Sequence, residues 1–387
     1  MGLGATATLA DFDEPYALLA RLREEEPVAW VDVLDGWLVT RRDLAMQVMN
    51  DAETFTVDDP RFSTGRVVGP SMLTLDGGEH TRHRAPFAGP FRLEPVRERF
   101  SALVVAETER LIDAIAPAGR ADLRRSVAGP LAAAVVMHAL GLRGTSPEVV
   151  LGWYDGIVGA VDEITKGGPL SERGRTSFAR LRDALGPAIE GEAGDSLVAA
   201  VAQDAAGLER EQVVSNAAVL MFGGIETTEG MIANAVMHLL THPDQRARLA
   251  GQPDLLAGAV EESLRLEPAA AVLDRYATRD VAFGGAAIGR GELVRISVTA
   301  ANRDPAEFPD PDRFDITRAN AGRHLAFARG PHVCIGMHLA RLEAQTAVGR
   351  LFARLPQLRL DPDHAAAPRG LVFRKPPALR VLWRGSS

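Results

Sequence analysis

A chain of 387 residues, 46% hydrophobic and 24% charged, has the make-up of an ordinary globular protein. Its net charge of −8 argues against general nucleic-acid binding, and one cysteine, Cys334, leaves no partner for an intramolecular disulfide. No run of eighteen apolar residues occurs to span a membrane, and "MGLGATATLADFDEP" has no basic region followed by an apolar core, so a cytoplasmic protein is expected.

Taken in order, "PVAWVDVLDGWLVTRRD" predicts two short strands turning at Asp35-Gly36, with a helix after Arg42. Residues 56–78 carry Pro, Gly, Ser and Asp throughout and predict a long loop of the kind that is often functional. Helices are predicted at about 79–88, 95–115, 126–140, 147–163, 171–190, 209–241 and 254–266. The Gly-Gly-Pro break at 164–170 reads as a lid hinge. After Pro268 come short strands at 272–277, 280–283 and 293–297, then an irregular meander over 303–318 rich in Pro and Asp. A helix starts near Ile335, and strands near 357–361 and 379–383 close the chain. The fold class is therefore mainly α with a minor β portion, and no linker divides it.

Three places carry chemistry. In "LMFGGIETTEG", residues 220–230, the segment 223–228 puts two glycines, a carboxylate and two threonines at the middle of a long helix. Each glycine costs about 1 kcal/mol against alanine, and a buried unpartnered Glu costs more. Something outside the helix must account for them. In "FARGPHVCIG", residues 327–336, Gly330 and Pro331 shape a rigid loop that aims Cys334 at the start of a helix, where unpaired N–H groups favour a thiolate. In "VEESLRLEP", Glu262 and Arg265 share one helix face. Arg313 of the meander is expected to join them in a buried ion cluster.

These motifs, in this order and over nearly the whole length, resemble the bacterial cytochromes P450. The resemblance implies that fold, with a long central helix over a haem b and small antiparallel sheets, as a single haem domain over 1–387. It makes Cys334 the axial iron ligand within a loop where Phe327, Gly330, His332 and Gly336 line the haem. His80, Arg84, Arg275 and His332 would contact the propionates. Ala328 departs from the family, which usually has glycine there. Gly223 and Gly224 would let the central helix pass close to the haem, Thr227 would hydrogen-bond bound dioxygen, and Glu226 would relay protons. Thr228 has no task beyond a bond to a carbonyl one turn back.

The implied activity is monooxygenation of an apolar organic substrate, by hydroxylation or a related oxidation. Electrons would come from NAD(P)H through a separate ferredoxin and ferredoxin reductase, with the enzyme a monomer. A docking surface for the acidic carrier is expected around Arg318, Arg323, Arg329 and Arg341, a stretch without Asp or Glu. The substrate pocket would draw on the 60–74 loop, Val219, Phe222, Ala270, Val272 and Val372, with Arg66 and Arg369 as charged residues near it. Three competing readings are a peroxide-driven peroxygenase, a haem carrier without turnover, and a cysteine hydrolase using Cys334 and His332. His238 and His242 have a spacing that suits zinc but no third ligand, and His83 is expected at the surface.

Overall fold

The computed structural model describes residues 2–165, 168–191, 196–203 and 207–384. The predicted hinge at 164–170 lies partly outside the described residues.

The central helix, Arg210–Thr241, organises the fold. Its start is a reciprocal cap between Glu209 and Gln212, with the Glu209 N–H donating to Gln212 Oε1 at 3.0 Å. Val, Ala, Met and Ile side chains are buried around its whole circumference, as expected for a helix enclosed on all sides. Packed around it are helices Leu93–Ile115, Gly129–Leu140, Leu256–Leu266 and Met337–Arg354, which share one apolar core with it. Phe100, Ile112, Leu131 and Leu351 in that core are fully buried, each worth about 1.5–3 kcal/mol in area removed from water. A second core lies between its N-terminal half and helices Pro147–Thr165 and Glu172–Ile189.

The predicted helices occur with ends shifted by two or three residues at most. Gly77–Ala88 and Pro147–Thr165 run slightly longer than expected, and a π-helical turn at Arg124–Ala128 precedes Gly129. The loop at 56–78 is not wholly irregular. Ser63–Val68 forms a helix that buries Val67 and Val68 against the second core. Those two apolar residues were hidden among turn formers.

The β portion is a five-stranded sheet in the order Val28–Val31, Gly36–Val39, Leu293–Ser297, Val272–Ala277, Phe55–Thr56. The pair Gly36–Val39 with Leu293–Ser297 is parallel, so this sheet is mixed rather than antiparallel as expected. Their sequence separation leaves room for the long crossover that a parallel pair requires. A three-stranded sheet joins Arg120–Asp122, Arg380–Leu382 and Arg359–Leu360, and a hairpin joins Val281–Phe283 to Ala286–Ile288. No helix among the described residues is long and apolar enough to cross a membrane.

Candidate active site

The loop bearing Cys334 is closed by its own backbone: the Cys334 N–H donates to the Phe327 carbonyl at 2.8 Å. Two residues inside it are left-handed, Ala328 at φ 56° and Gly330 at φ 70°. At Gly330 a Cβ would strike the Met49 carbonyl and lie 2.9 Å from Asn50 Oδ1, so glycine is required by contact as well as conformation. Ala328 adopts the turn that glycine would take, at a cost of about 1 kcal/mol. The loop then enters helix Met337–Arg354 through Gly336. Burial pushes the Cys334 thiol up, while the Gly336 N–H and the Arg84 and Arg341 guanidinium groups oppose that rise. Phe327 packs beneath Arg341, whose guanidinium lies 4.5 Å from its ring centre.

Basic groups gather beside this loop. Helix Gly77–Ala88 brings His80 and Arg84, strand Val272–Ala277 brings Arg275, and the loop brings His332. The His80 and His332 rings are 4.4 Å apart. Arg84 Nη2 donates to the Val333 carbonyl at 2.6 Å. Arg275 is 6% exposed, and its guanidinium donates to the neighbouring Asp274 carbonyl at 2.7 Å, with no ion pair among the described residues. His80 Nε2 is buried without a partner. Burial, and the positive charge of His332 and Arg84 nearby, pull His80 down to about 4.

Asp76 is the carboxylate among these groups. Burial alone would raise it, but hydrogen bonds from His332, Thr56 and the Val57 N–H outweigh that and hold it at about 2. His332 Nε2 lies 2.7 Å from Asp76 Oδ1, so that nitrogen is engaged within the protein rather than free for a propionate. Asp76 was not singled out in the sequence; nothing in "TLDGGEH" marks it.

Such a cluster, with an orphaned His80 and a buried unpaired Arg275, suits a dianionic group seated against Cys334. The residues 326–338 are all only partly covered, although Phe327, Val333, Ile335 and Met337 are apolar. A Cβ at Gly336, or at Gly223 on the central helix, would meet no atom within 4 Å. Together these features fit an iron porphyrin with a thiolate ligand.

On the central helix, Thr227 Oγ1 donates to the Gly223 carbonyl at 2.6 Å. Thr227 thus makes the one-turn bond expected of Thr228, which is buried and has no such bond. Gly224 does not face the same space as Gly223: a Cβ there would lie 2.7 Å from Val136 Cγ2, so it serves close packing with helix Gly129–Leu140. Glu226 is buried, and its Oε1 lies 2.7 Å from Lys375 Nζ. Lys375, one of two lysines in the chain, has no local signal that pairs it with Glu226.

The expected substrate residues come together in part. Phe222 meets Phe373 edge-on at 5.5 Å between ring centres, Ala270 pairs with Phe373 as an isolated bridge, and the Ala271 N–H donates to the Val372 carbonyl at 2.8 Å. Val219 and Val272 are buried, while Ala270 and Val372 are half-buried. Arg66 is exposed, and Arg369 lies at the surface beside Glu14.

The ion cluster needs one correction. Glu262 receives Arg265 at 2.7 and 2.8 Å, the Asp315 N–H at 3.0 Å, and Arg318 at 3.0 and 3.1 Å. Arg313 is not the second arginine. Its side chain is 61% exposed, and only its carbonyl takes part, accepting from Arg265 and Arg318. The turn at Asp315 reverses the chain, which sends Arg313 outward and Arg318 in.

The basic surface shrinks accordingly. Arg318 is bound to Glu262, Arg341 to Glu261 at 2.7 Å and Arg323 to Glu307 at 3.0 Å. His324 is also held by Glu261, at 3.2 Å. His83 is not at the surface but fully buried, 3.0 Å from Asn216 Nδ2. His238 lies 2.9 Å from Ser263 Oγ, and no group of three metal-ligating side chains occurs among the described residues.

Known proteins resemble this chain in sequence and in fold. The family model for cytochrome P450 matches residues 192–368. The chain is 37% identical to the cytochrome P450 monooxygenase PikC of Streptomyces venezuelae, covering 95% of this chain and 89% of that protein. It is 33% identical to the vitamin D(3) 25-hydroxylase of Pseudonocardia autotrophica, covering 96% and 93%. The crystal structure of CalO2 superposes with a TM-score of 0.89 at 30% identity, covering 98% of both chains. With a cysteine loop, a basic cradle and relatives aligned over nearly their full lengths, this chain belongs to the cytochrome P450 family of haem-thiolate monooxygenases.

Proposed function

We propose that residues 1–387 act as one haem domain that inserts an oxygen atom from O2 into an apolar organic molecule of moderate size. Cys334 would ligate the haem iron through its thiolate, and His80, Arg84 and Arg275 would hold the propionates. The observation that carries this reading is the buried, unpartnered His80 Nε2, beside an Arg275 guanidinium that has a backbone acceptor but no ion pair among the described residues. When bound there, the haem supplies dioxygen activation, with the thiolate donating electron density to favour O–O cleavage.

The chain's own residues do the rest. The Gly336 N–H and the helix start favour negative charge on Cys334 Sγ. Arg84 bridges the propionate side and the loop through the Val333 carbonyl. Thr227 Oγ1 is held by the Gly223 carbonyl, which takes its proton and leaves the oxygen free to accept another. It hands on protons that Glu226 brings from the Lys375 side. This pair supports the oxygen-dependent route over a peroxide-driven one. Val219, Phe222, Val372 and Phe373 exclude water and seat the substrate by apolar contact.

Electrons pass from NAD(P)H through redox partners, here a ferredoxin and its reductase. Arg329 and the exposed side of Arg323 remain for docking after the other arginines have found carboxylates. The protein is taken to act as a cytoplasmic monomer, and no helix among the described residues is long and apolar enough to cross a membrane. The likeness to the vitamin D(3) 25-hydroxylase puts vitamin D(3) first in a screening panel of apolar organic molecules of moderate size.

The test is the absorption spectrum of reduced, CO-treated protein, followed by spin-state titration with that panel. A Soret band at the long wavelength of thiolate ligation supports the reading. A band at the shorter wavelength of histidine or thiol ligation refutes the ligand assignment.

A further inference from the structure

The late turn carries more than substrate contacts. Two residues beyond Phe373, the Lys375 side chain runs back over the central helix and is 11% exposed. It passes over Gly230, where a Cβ would be in ordinary contact with Lys375 Cβ at 3.5 Å but too close to Ala269 Cβ at 2.9 Å. The lysine backbone is fixed on both sides. Buried Arg374 is held by Glu267 at 2.8 Å, and the Lys375 carbonyl accepts from the Arg369 N–H at 3.0 Å.

Lys375 Nζ binds two carboxylates one helical turn apart, Glu226 Oε1 at 2.7 Å and Glu229 Oε2. Glu229 has a second cation on its other oxygen, Arg124 Nε at 3.0 Å. Arg124 is itself tied to the late turn through the Pro377 carbonyl at 2.6 Å. Two carboxylates thus share two cations in a buried site. Glu226 can leave Lys375 without stranding the ammonium, because Glu229 still holds it; a cation left unpaired at this depth would be costly.

We propose that Lys375 is a positioning residue for the Glu226 acid, with Glu229 as its second seat. This rests on the reading of Glu226 as the proton-carrying group. In the resting arrangement Lys375 holds the Glu226 carboxylate within this buried network. When Glu226 swings toward Thr227, Lys375 stays on Glu229, so the motion breaks one ion pair rather than exposing a buried charge. The lysine sits on the same turn as Val372 and Phe373, so its position is also set by the isolated bridge between Phe373 and Ala270.

The experiment compares holoenzyme carrying Lys375→Met, Lys375→Arg, Glu226→Gln and the Met/Gln double variant. The first readout is the Soret melting temperature, which needs no turnover. Lys375→Met leaves Glu226 and Glu229 facing each other, so it lowers the melting temperature, and adding Glu226→Gln raises it again. A double variant that melts lower than Lys375→Met overturns the shared-cation arrangement.

The second readout is product per NADPH with the panel compound that wild type oxidises. Lys375→Met lowers it by roughly tenfold with peroxide formed instead, a fraction of what a positioned acid–base group contributes. Lys375→Arg restores most of it, and the double variant is no worse than Glu226→Gln alone. If Glu226→Gln uncouples but Lys375→Met does not, the lysine has no part in positioning and the inference fails by itself. If Glu226→Gln leaves product per NADPH unchanged, the acid assignment fails and the inference falls with it.

Discussion

Replacing Arg318 by alanine separates the observed ion cluster from the one expected with Arg313. Arg318 is 9% exposed and makes five hydrogen bonds, two to Glu262 and one each to the carbonyls of Pro309, Asp310 and Arg313. Removing one partner of a buried pair costs about 3–5 kcal/mol, because the remaining charge stays buried. Glu262 keeps Arg265, so the lower end applies: about 3 kcal/mol, or on the order of a hundredfold in the folding equilibrium. The lost carbonyl bonds also free the meander that precedes the Cys334 loop.

Arg313→Ala, by contrast, removes an exposed side chain whose ion pair to Asp315 spans 4.0 Å. Such a pair is worth about 0–1 kcal/mol. The assay is haem per polypeptide in freshly purified protein, from the ratio of Soret to protein absorbance, followed by the Soret melting temperature. Arg318→Ala should lose haem and melt several degrees lower, with Arg313→Ala close to wild type. Glu262→Ala should be worse than either, since it leaves both Arg265 and Arg318 unpaired. Equal losses in the two arginine variants would refute the reasoning, as would normal haem loading in Arg318→Ala.

Cys334→Ser should abolish the long-wavelength Soret band of the reduced CO complex; its persistence would remove Cys334 as the ligand. Thr227→Ala should keep the spin-state response to substrate while diverting electrons to peroxide, and an unchanged product-to-NADPH ratio would end its role in proton delivery. His238 is held down at about 3, chiefly by burial and then by His242 and the arginines nearby, so it stays neutral in the folded chain. The unfolded chain binds the extra proton below about 6.5. Stability is therefore lost as pH falls, by about 2 kcal/mol between pH 7 and 5 from this residue. Urea midpoints of wild type and His238→Asn at both pH values check this, and an equal drop in the variant would refute it. Ala328→Gly relieves the left-handed strain of about 1 kcal/mol but adds chain entropy to the unfolded state. A net gain of a few tenths of a kcal/mol in holoprotein stability is expected, and a loss would mean that the methyl contributes more by packing than its backbone costs.

The features readable from sequence by itself are those made by neighbours along the chain. The central helix, the Glu262–Arg265 pair at one-turn spacing and the Gly-Pro turn that presents Cys334 are all local, and their geometry follows from backbone sterics and helical period. With 43 basic side chains available, which of them closes a given carboxylate is not local at all. Arg318 rather than Arg313 reaches Glu262 because the turn at Asp315 points one inward and the other to solvent. Asp76 finds His332 across 256 positions of sequence, and Lys375 finds Glu226 only because the late turn folds back over the central helix. The same distance hid the parallel pairing of Gly36–Val39 with Leu293–Ser297. Long-range Coulomb and hydrogen-bond partners depend on where the cores bring distant segments together, and that placement was decided by the tertiary structure.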